Sequence, residues 1–114
     1  MIRLVRATYF SMAGLHAVFR TQAAFRQELF GLLLALPAAW ILTARAVERA
    51  LMIGSWMLVM IVEIINSAIE TAVDRIGKEP HELSGRAKDL GSAAVFCSLV
   101  LAATIWGIIL LSKS

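Results

Sequence analysis

The sequence predicts an all-α membrane protein, with an N-terminal amphipathic surface helix followed by three transmembrane helices. Three observations predict it. Of the 114 residues, 60% are apolar, whereas a soluble domain holds about 45–50%. A chain this short cannot hide so much apolar surface in a water-soluble core, because small domains bury a modest share of their surface. Second, the apolar residues fall into long runs separated by short polar stretches. Third, the basic residues are shared unequally between the two sides that three spans create. Arg3, Arg6, Arg20, Arg26, Arg75, Lys78, Arg86 and Lys88 fall on one side; Arg45, Arg49 and Lys113 fall on the other. Eight against three of the 11 basic residues follows the positive-inside rule. The N-terminus and the second loop are therefore expected in the cytoplasm. The net charge of +3 is read as topology, not as a nucleic-acid surface.

Residues 1–28 form the surface region. Leu4, Val5, Tyr9, Met12, Leu15, Val18 and Phe19 recur near helical spacing, with Arg3, Arg6, His16 and Arg20 between them. Such a helix lies in the membrane interface. Gly14 weakens it and leaves room for two shorter helices. No apolar run here ends at a small-residue cleavage site, so no removable signal peptide is expected. Residues 29–47 are the first span, uncharged from 29 to 44. About 20 helical residues cross a ~30 Å hydrocarbon core. Pro37 is expected to kink this helix, which a span tolerates when neighbours satisfy the freed carbonyl.

Residues 48–76 form a second, longer helix, apolar at first and then acidic along one face. Residues 77–88 hold Gly77, Pro80 and Gly85 among charged residues and read as a loop. Residues 89–111 form the third span. Cys97, the lone cysteine, lies in an apolar stretch and reads as a small hydrophobe. The whole chain, 1–114, is one domain without internal repeats.

The stretch from Glu63 to Asp74 carries the chemistry. At 100° per residue, Glu63, Asn66, Glu70 and Asp74 fall within an arc of roughly 80°. One face of an otherwise apolar helix thus bears three carboxylates and an amide. An acid at the centre of a span costs about 2.5–3.5 kcal/mol on insertion scales. A solvated helix end accounts well for Asp74, partly for Glu70 and poorly for Glu63, which directly follows the uncharged run 50–62. Intramembrane acids default to function. Carboxylates near the interface suit Mg²⁺, a hard cation that takes oxygen ligands and shares its shell with phosphates. One of them also suits general-base work on an alcohol. The basic loop offers phosphate partners, and Lys88 and Asp89 come at the start of the third helix, whose N–H groups favour anions. Taken alone, Arg86 and Lys88 read as a positive-inside flank, and His81 as an exposed loop histidine. Neither a Walker A pattern nor GxGxxG is present, so a nucleotide bound here uses another cradle.

The segments 63–70, 73–75 and 81–89, together with Ala23-Ala24-Phe25-Arg26-Gln27-Glu28, closely resemble the signature of the bacterial integral-membrane diacylglycerol kinases. The similarity covers most of the chain. The resemblance implies a homotrimer in the bacterial cytoplasmic (inner) membrane, with sites shared between neighbouring chains at the cytoplasmic interface. It also implies transfer of the γ-phosphate of MgATP to diacylglycerol, giving phosphatidic acid, with Mg²⁺ as cofactor and no nucleic-acid partner. By position, Glu63 is the expected general base, and Glu70 and Gln22 the metal-site residues. Arg3, Phe10, Gln22, Glu70, Asp74, Glu79, His81, Lys88 and Asp89 are expected at ATP. Arg3, Ser11, Met12, Glu28, Glu63, Asn66 and Ser92 are expected at the lipid.

The chain departs from the family pattern at four of its positions. Gln22 stands where the family has a second metal-binding acid; its carbonyl can ligate Mg²⁺ but brings no charge. Phe10 replaces a usual tyrosine, Met12 a usual tryptophan and Pro80 a common aromatic. Besides a family member impaired by Gln22, two other readings compete. One is a kinase of the same fold acting on undecaprenol. The other is a non-catalytic membrane accessory protein that uses the acidic stripe for helix association.

Overall fold

A computed structural model of the chain describes residues 1–77 and 79–113; Lys78 of the basic loop and Ser114 lie outside the described residues. The chain is four helices: α1 (Ile2–Thr21), α2 (Ala23–Leu42), α3 (Ala46–Ile76) and α4 (Glu82–Leu111). Three of them, α2, α3 and α4, are long and apolar enough to cross a membrane. Many of their large apolar side chains point outward, among them Phe30, Leu33, Trp40, Ile41, Phe96 and Ile108. A bilayer accepts such a surface, because lipid tails are as apolar as the side chains that meet them.

The α1 helix runs unbroken through Gly14. It ends at Gln22, whose backbone is extended. The last carbonyls of α1 need donors, and Arg26 supplies them: its guanidinium Nη1 donates to the Phe19 and Arg20 oxygens at 2.7 and 3.1 Å. Val18 is buried against Phe25 of α2 and Met60 of α3, which fixes the end of α1 against the spans.

The helical ends differ from the predicted ones, for local reasons. The α2 helix begins at Ala23 and not at Leu29, because Arg26, Gln27 and Glu28 continue the helix although they are polar. It passes through Pro37 and ends at Leu42, where Thr43 turns extended. Arg49 closes this end, donating to the carbonyls of Thr43 and Trp40, both at 2.9 Å, and stacking on the Trp40 ring at 4.1 Å. Glu48 pairs with Lys113 Nζ at 2.6 Å and so ties the far end of α4 to the same turn.

The larger difference is at α4. Residues 82–88, expected in the loop, form its first two turns. His81 is the N-cap, its Nδ1 accepting from the Leu83 N–H at 3.1 Å, and Glu82 sits in the first turn. A capped, acid-started helix outweighs the single exposed Gly85. The start of this helix therefore lies at residues 82–84: the Leu83 N–H is taken by His81, and the Gly85 N–H already donates to the His81 carbonyl at 2.9 Å. Lys88 and Asp89 stand in its second turn, not at its start.

The central helix is α3, packed on both α2 and α4. Ala39, Met52 and Ile109 form a buried cluster among the three spans. One turn further along α3, Trp56 reaches α2 and α4 together. Its indole N–H donates to the Glu28 backbone oxygen at 2.8 Å, and its ring meets Trp106 edge-on at 6.4 Å. Gly31 makes room for it, since a Cβ there would overlap the Trp56 ring.

Candidate functional site

The polar stripe of α3 is graded along its length. Glu63 is buried, with 8% of its surface exposed. Asn66 and Glu70 are half-buried, and Asp74 is exposed. The gradient follows from sequence: α3 is uncharged from Ala50 to Val62, and each later turn brings another polar group to the same face.

Neighbouring helices add to this face. Glu28 of α2 lies within electrostatic reach of Glu63, and Glu63 within reach of Glu70. The Asn66 Nδ2 donates to Glu70 Oε1 at 3.1 Å. From α4, Lys88 Nζ meets Asp74 Oδ1 at 2.7 Å and also lies within electrostatic reach of Glu70. The register of the α3–α4 packing thus sets a cation beside the outer acids, while among the described residues the inner acids Glu28 and Glu63 have no ion-pair partner. One oxygen of Glu28, Oε1, and the Asn66 Oδ1 are buried without a hydrogen-bond partner.

An open cleft of about 420 Å³ lies at the water-facing end of the stripe. Asp74, Glu79, Pro80, His81, Ser84 and Lys88 line it. Of the residues expected at a nucleotide, Asp74, Glu79, His81 and Lys88 share this cleft, from the end of α3, the connection and the first turns of α4. Asp89 and Ser92 follow on α4 and are exposed.

The other expected residues stand apart. Gln22 is half-buried at the α1–α2 break, where its side chain makes no capping bond. Arg3, Phe10, Ser11 and Met12 are exposed along the N-terminal half of α1. Ser11 Oγ bonds its own helix at the Ala7 oxygen, 2.8 Å away, and Phe10 packs edge-on against Tyr9. Among the described residues, none of these four has a hydrogen bond or ion pair to the acid face. No cluster of three or more His, Cys, Asp or Glu side chains able to hold a metal is present among the described residues.

Two residues of this region escape periodicity arguments. Trp56 reads in sequence as one more apolar residue of a span, yet it ties the Glu28 backbone to α3. Gly91 is buried against Asn66. In sequence it is a lone glycine inside a helical pattern, where glycine is unfavourable relative to alanine.

The family described as prokaryotic diacylglycerol kinase matches residues 9–110. The diacylglycerol kinase of Escherichia coli (strain K12) is 54% identical over 110 residues, which cover 96% of this chain and 90% of that protein. That of Pseudomonas aeruginosa is 48% identical over 109 residues, covering 96% and 89%. That of Haemophilus influenzae is 47% identical over 110 residues, covering 96% and 93%. With the match running from α1 almost to the end of α4, the chain belongs to the prokaryotic diacylglycerol kinase family.

Proposed function

We propose that the chain is a multi-pass membrane lipid kinase that transfers the γ-phosphate of ATP to the free hydroxyl of diacylglycerol, giving phosphatidic acid and ADP. The observation that carries this reading is the graded acid face of α3. Glu63 is buried, Glu70 is half-buried and Asp74 opens on a water-facing cleft. The order of environments matches the order of reactants: lipid hydroxyl, transferring phosphate, nucleotide.

Glu63 is the base. As the lipid oxygen forms its bond to γ-phosphorus and the bond to the β-phosphate oxygen breaks, the hydroxyl proton passes to the Glu63 carboxylate. Phosphoryl transfer asks mainly for positioning and charge stabilisation. Lys88, held at 2.7 Å from Asp74, supplies a cation at the cleft, where Glu79 and His81 join the nucleotide site, with Asp89 next to Lys88 on α4. By resemblance to the family, Glu28, Asn66 and Ser92 belong to the lipid site.

Mg²⁺ fits this site as an ion that keeps part of its shell in water and phosphate oxygens. Glu70 offers a carboxylate whose Oε1 is steadied by Asn66, and Gln22 offers a neutral carbonyl by resemblance to the family. When bound, the ion neutralises charge on the phosphates.

Arg3, Phe10, Ser11 and Met12 serve the site of a neighbouring copy in a homotrimer. Their exposure along α1, away from the acid face of their own chain, supports a shared site. The apolar face of α1 lies in the cytoplasmic interface of the inner membrane, and the connection between α3 and α4 faces the cytoplasm. The test supplies purified protein in mixed micelles with γ-labelled ATP, Mg²⁺ and either diacylglycerol or undecaprenol. Label is expected in phosphatidic acid. Label in undecaprenyl phosphate alone would overturn the substrate, and no label in either lipid would favour an accessory protein.

A further inference from the structure

Asn66 of α3, on the acid face, packs against Gly91 of α4. Its two ends meet different surroundings. The Nδ2 donates to Glu70 Oε1 at 3.1 Å. The Oδ1 is buried without a donor and lies against Gly91, so near that a Cβ at position 91 would overlap it. The same Cβ would sit 3.7 Å from Ile69 Cδ1, an ordinary contact. Asn66 is therefore the group that position 91 must accommodate.

A glycine inside a helix is unfavourable relative to alanine. No backbone demand explains one here, because no glycine among the described residues has a positive φ. Gly85 and Gly107 on the same helix have open space where a Cβ would go. Gly91 does not. The carboxamide also has one serviceable orientation. Turned over, it would set Oδ1 against a Glu70 oxygen, acceptor to acceptor, and leave Glu70 without its donor.

We propose that Gly91 is a positioning residue for Glu70: it leaves the space that holds the Asn66 carboxamide with Nδ2 toward Glu70, and so orients that carboxylate for the divalent cation of the nucleotide. This deepens the proposed function and rests on its assignment of Glu70 to the metal. A methyl group at position 91 displaces Asn66, and Glu70 loses its donor. Lys88, one turn earlier on α4, keeps its partner Asp74.

The experiment measures Mn²⁺ binding by electron paramagnetic resonance, with the full chain in micelles and a non-hydrolysable ATP analogue. Gly91→Ala is expected to weaken Mn²⁺ binding about tenfold, the scale of one lost hydrogen bond to a charged group. Asn66→Ala is expected to do the same. Adding Gly91→Ala to Asn66→Ala should then change nothing further, because no carboxamide remains to displace. Gly107→Ala, with free space for its methyl, is the helix control and should bind Mn²⁺ normally.

An equal loss in Gly107→Ala, or additive losses at positions 66 and 91, would overturn the proposal. If Gly91→Ala cannot be recovered folded, recovery of the fold in the double variant supports the steric relation and its absence overturns it. Glu70→Gln separates the two levels. If it weakens Mn²⁺ binding while Gly91→Ala does not, the positioning role alone falls. If Glu70→Gln leaves Mn²⁺ binding intact, the metal assignment falls and the positioning role with it.

Discussion

Replacing Glu63 by glutamine exchanges one carboxylate oxygen for an amide nitrogen and leaves the shape of the side chain almost unchanged. The site is buried, with 8% of the residue exposed, so no bulk water stands ready to take the proton in its place. General-base help contributes about 10²–10⁴-fold. Glu63→Gln should therefore lower turnover at least about 100-fold, equivalent to roughly 2.7 kcal/mol of barrier. Nucleotide binding should survive. Glu70 lies seven residues further along α3, about 10 Å at 1.5 Å per residue, and its bond to Asn66 does not involve Glu63. The Lys88–Asp74 bridge is further still along the helix. Steady-state kinetics with diacylglycerol in mixed micelles gives turnover, and equilibrium binding of an ATP analogue gives affinity. Near-normal turnover in a Glu63→Gln protein of unchanged assembly would refute Glu63 as the base. Equal damage to turnover and to nucleotide affinity would show that Glu63 supports the site rather than the proton transfer.

Other perturbations test separate parts of the reasoning. Gln22→Glu should lower the Mg²⁺ concentration needed for half-maximal activity, because hard cations favour charged oxygens; a Mg²⁺ titration showing no change or a rise would remove Gln22 from the metal site. Gly31→Ala should destabilise the protein by roughly 1–3 kcal/mol through overpacking, since its Cβ would overlap the Trp56 ring. Thermal inactivation in micelles measures this, and Trp56→Leu should suppress the loss; a Gly31→Ala protein as stable as the parent would refute the contact. In a Cys97→Ala background, single cysteines at Glu79 and Lys113 should label from opposite sides of oriented vesicles. Labelling of both from the same side would refute three spans.

Much of this protein was decided within single segments of chain. Composition and run length set three spans because a bilayer selects on apolarity over about 20 residues, whatever the neighbours are. The acid stripe from Glu63 to Asp74 followed from the 3.6-residue period alone. Helix ends were harder to read, since capping competes with loop-forming residues over a few positions. His81 and Glu82 started α4 ahead of Gly85, and residues 23–28 joined α2 despite their polarity. Tertiary structure alone decided what meets the stripe. The approach of Glu28 to Glu63, the bridge from Lys88 to Asp74 and the seating of Asn66 against Gly91 depend on how α2 and α4 are rotated and shifted against α3. That register is chosen by interlocking side chains such as Trp56 on Gly31. Periodicity names the face a residue occupies, whereas only packing determines which atom stands opposite it.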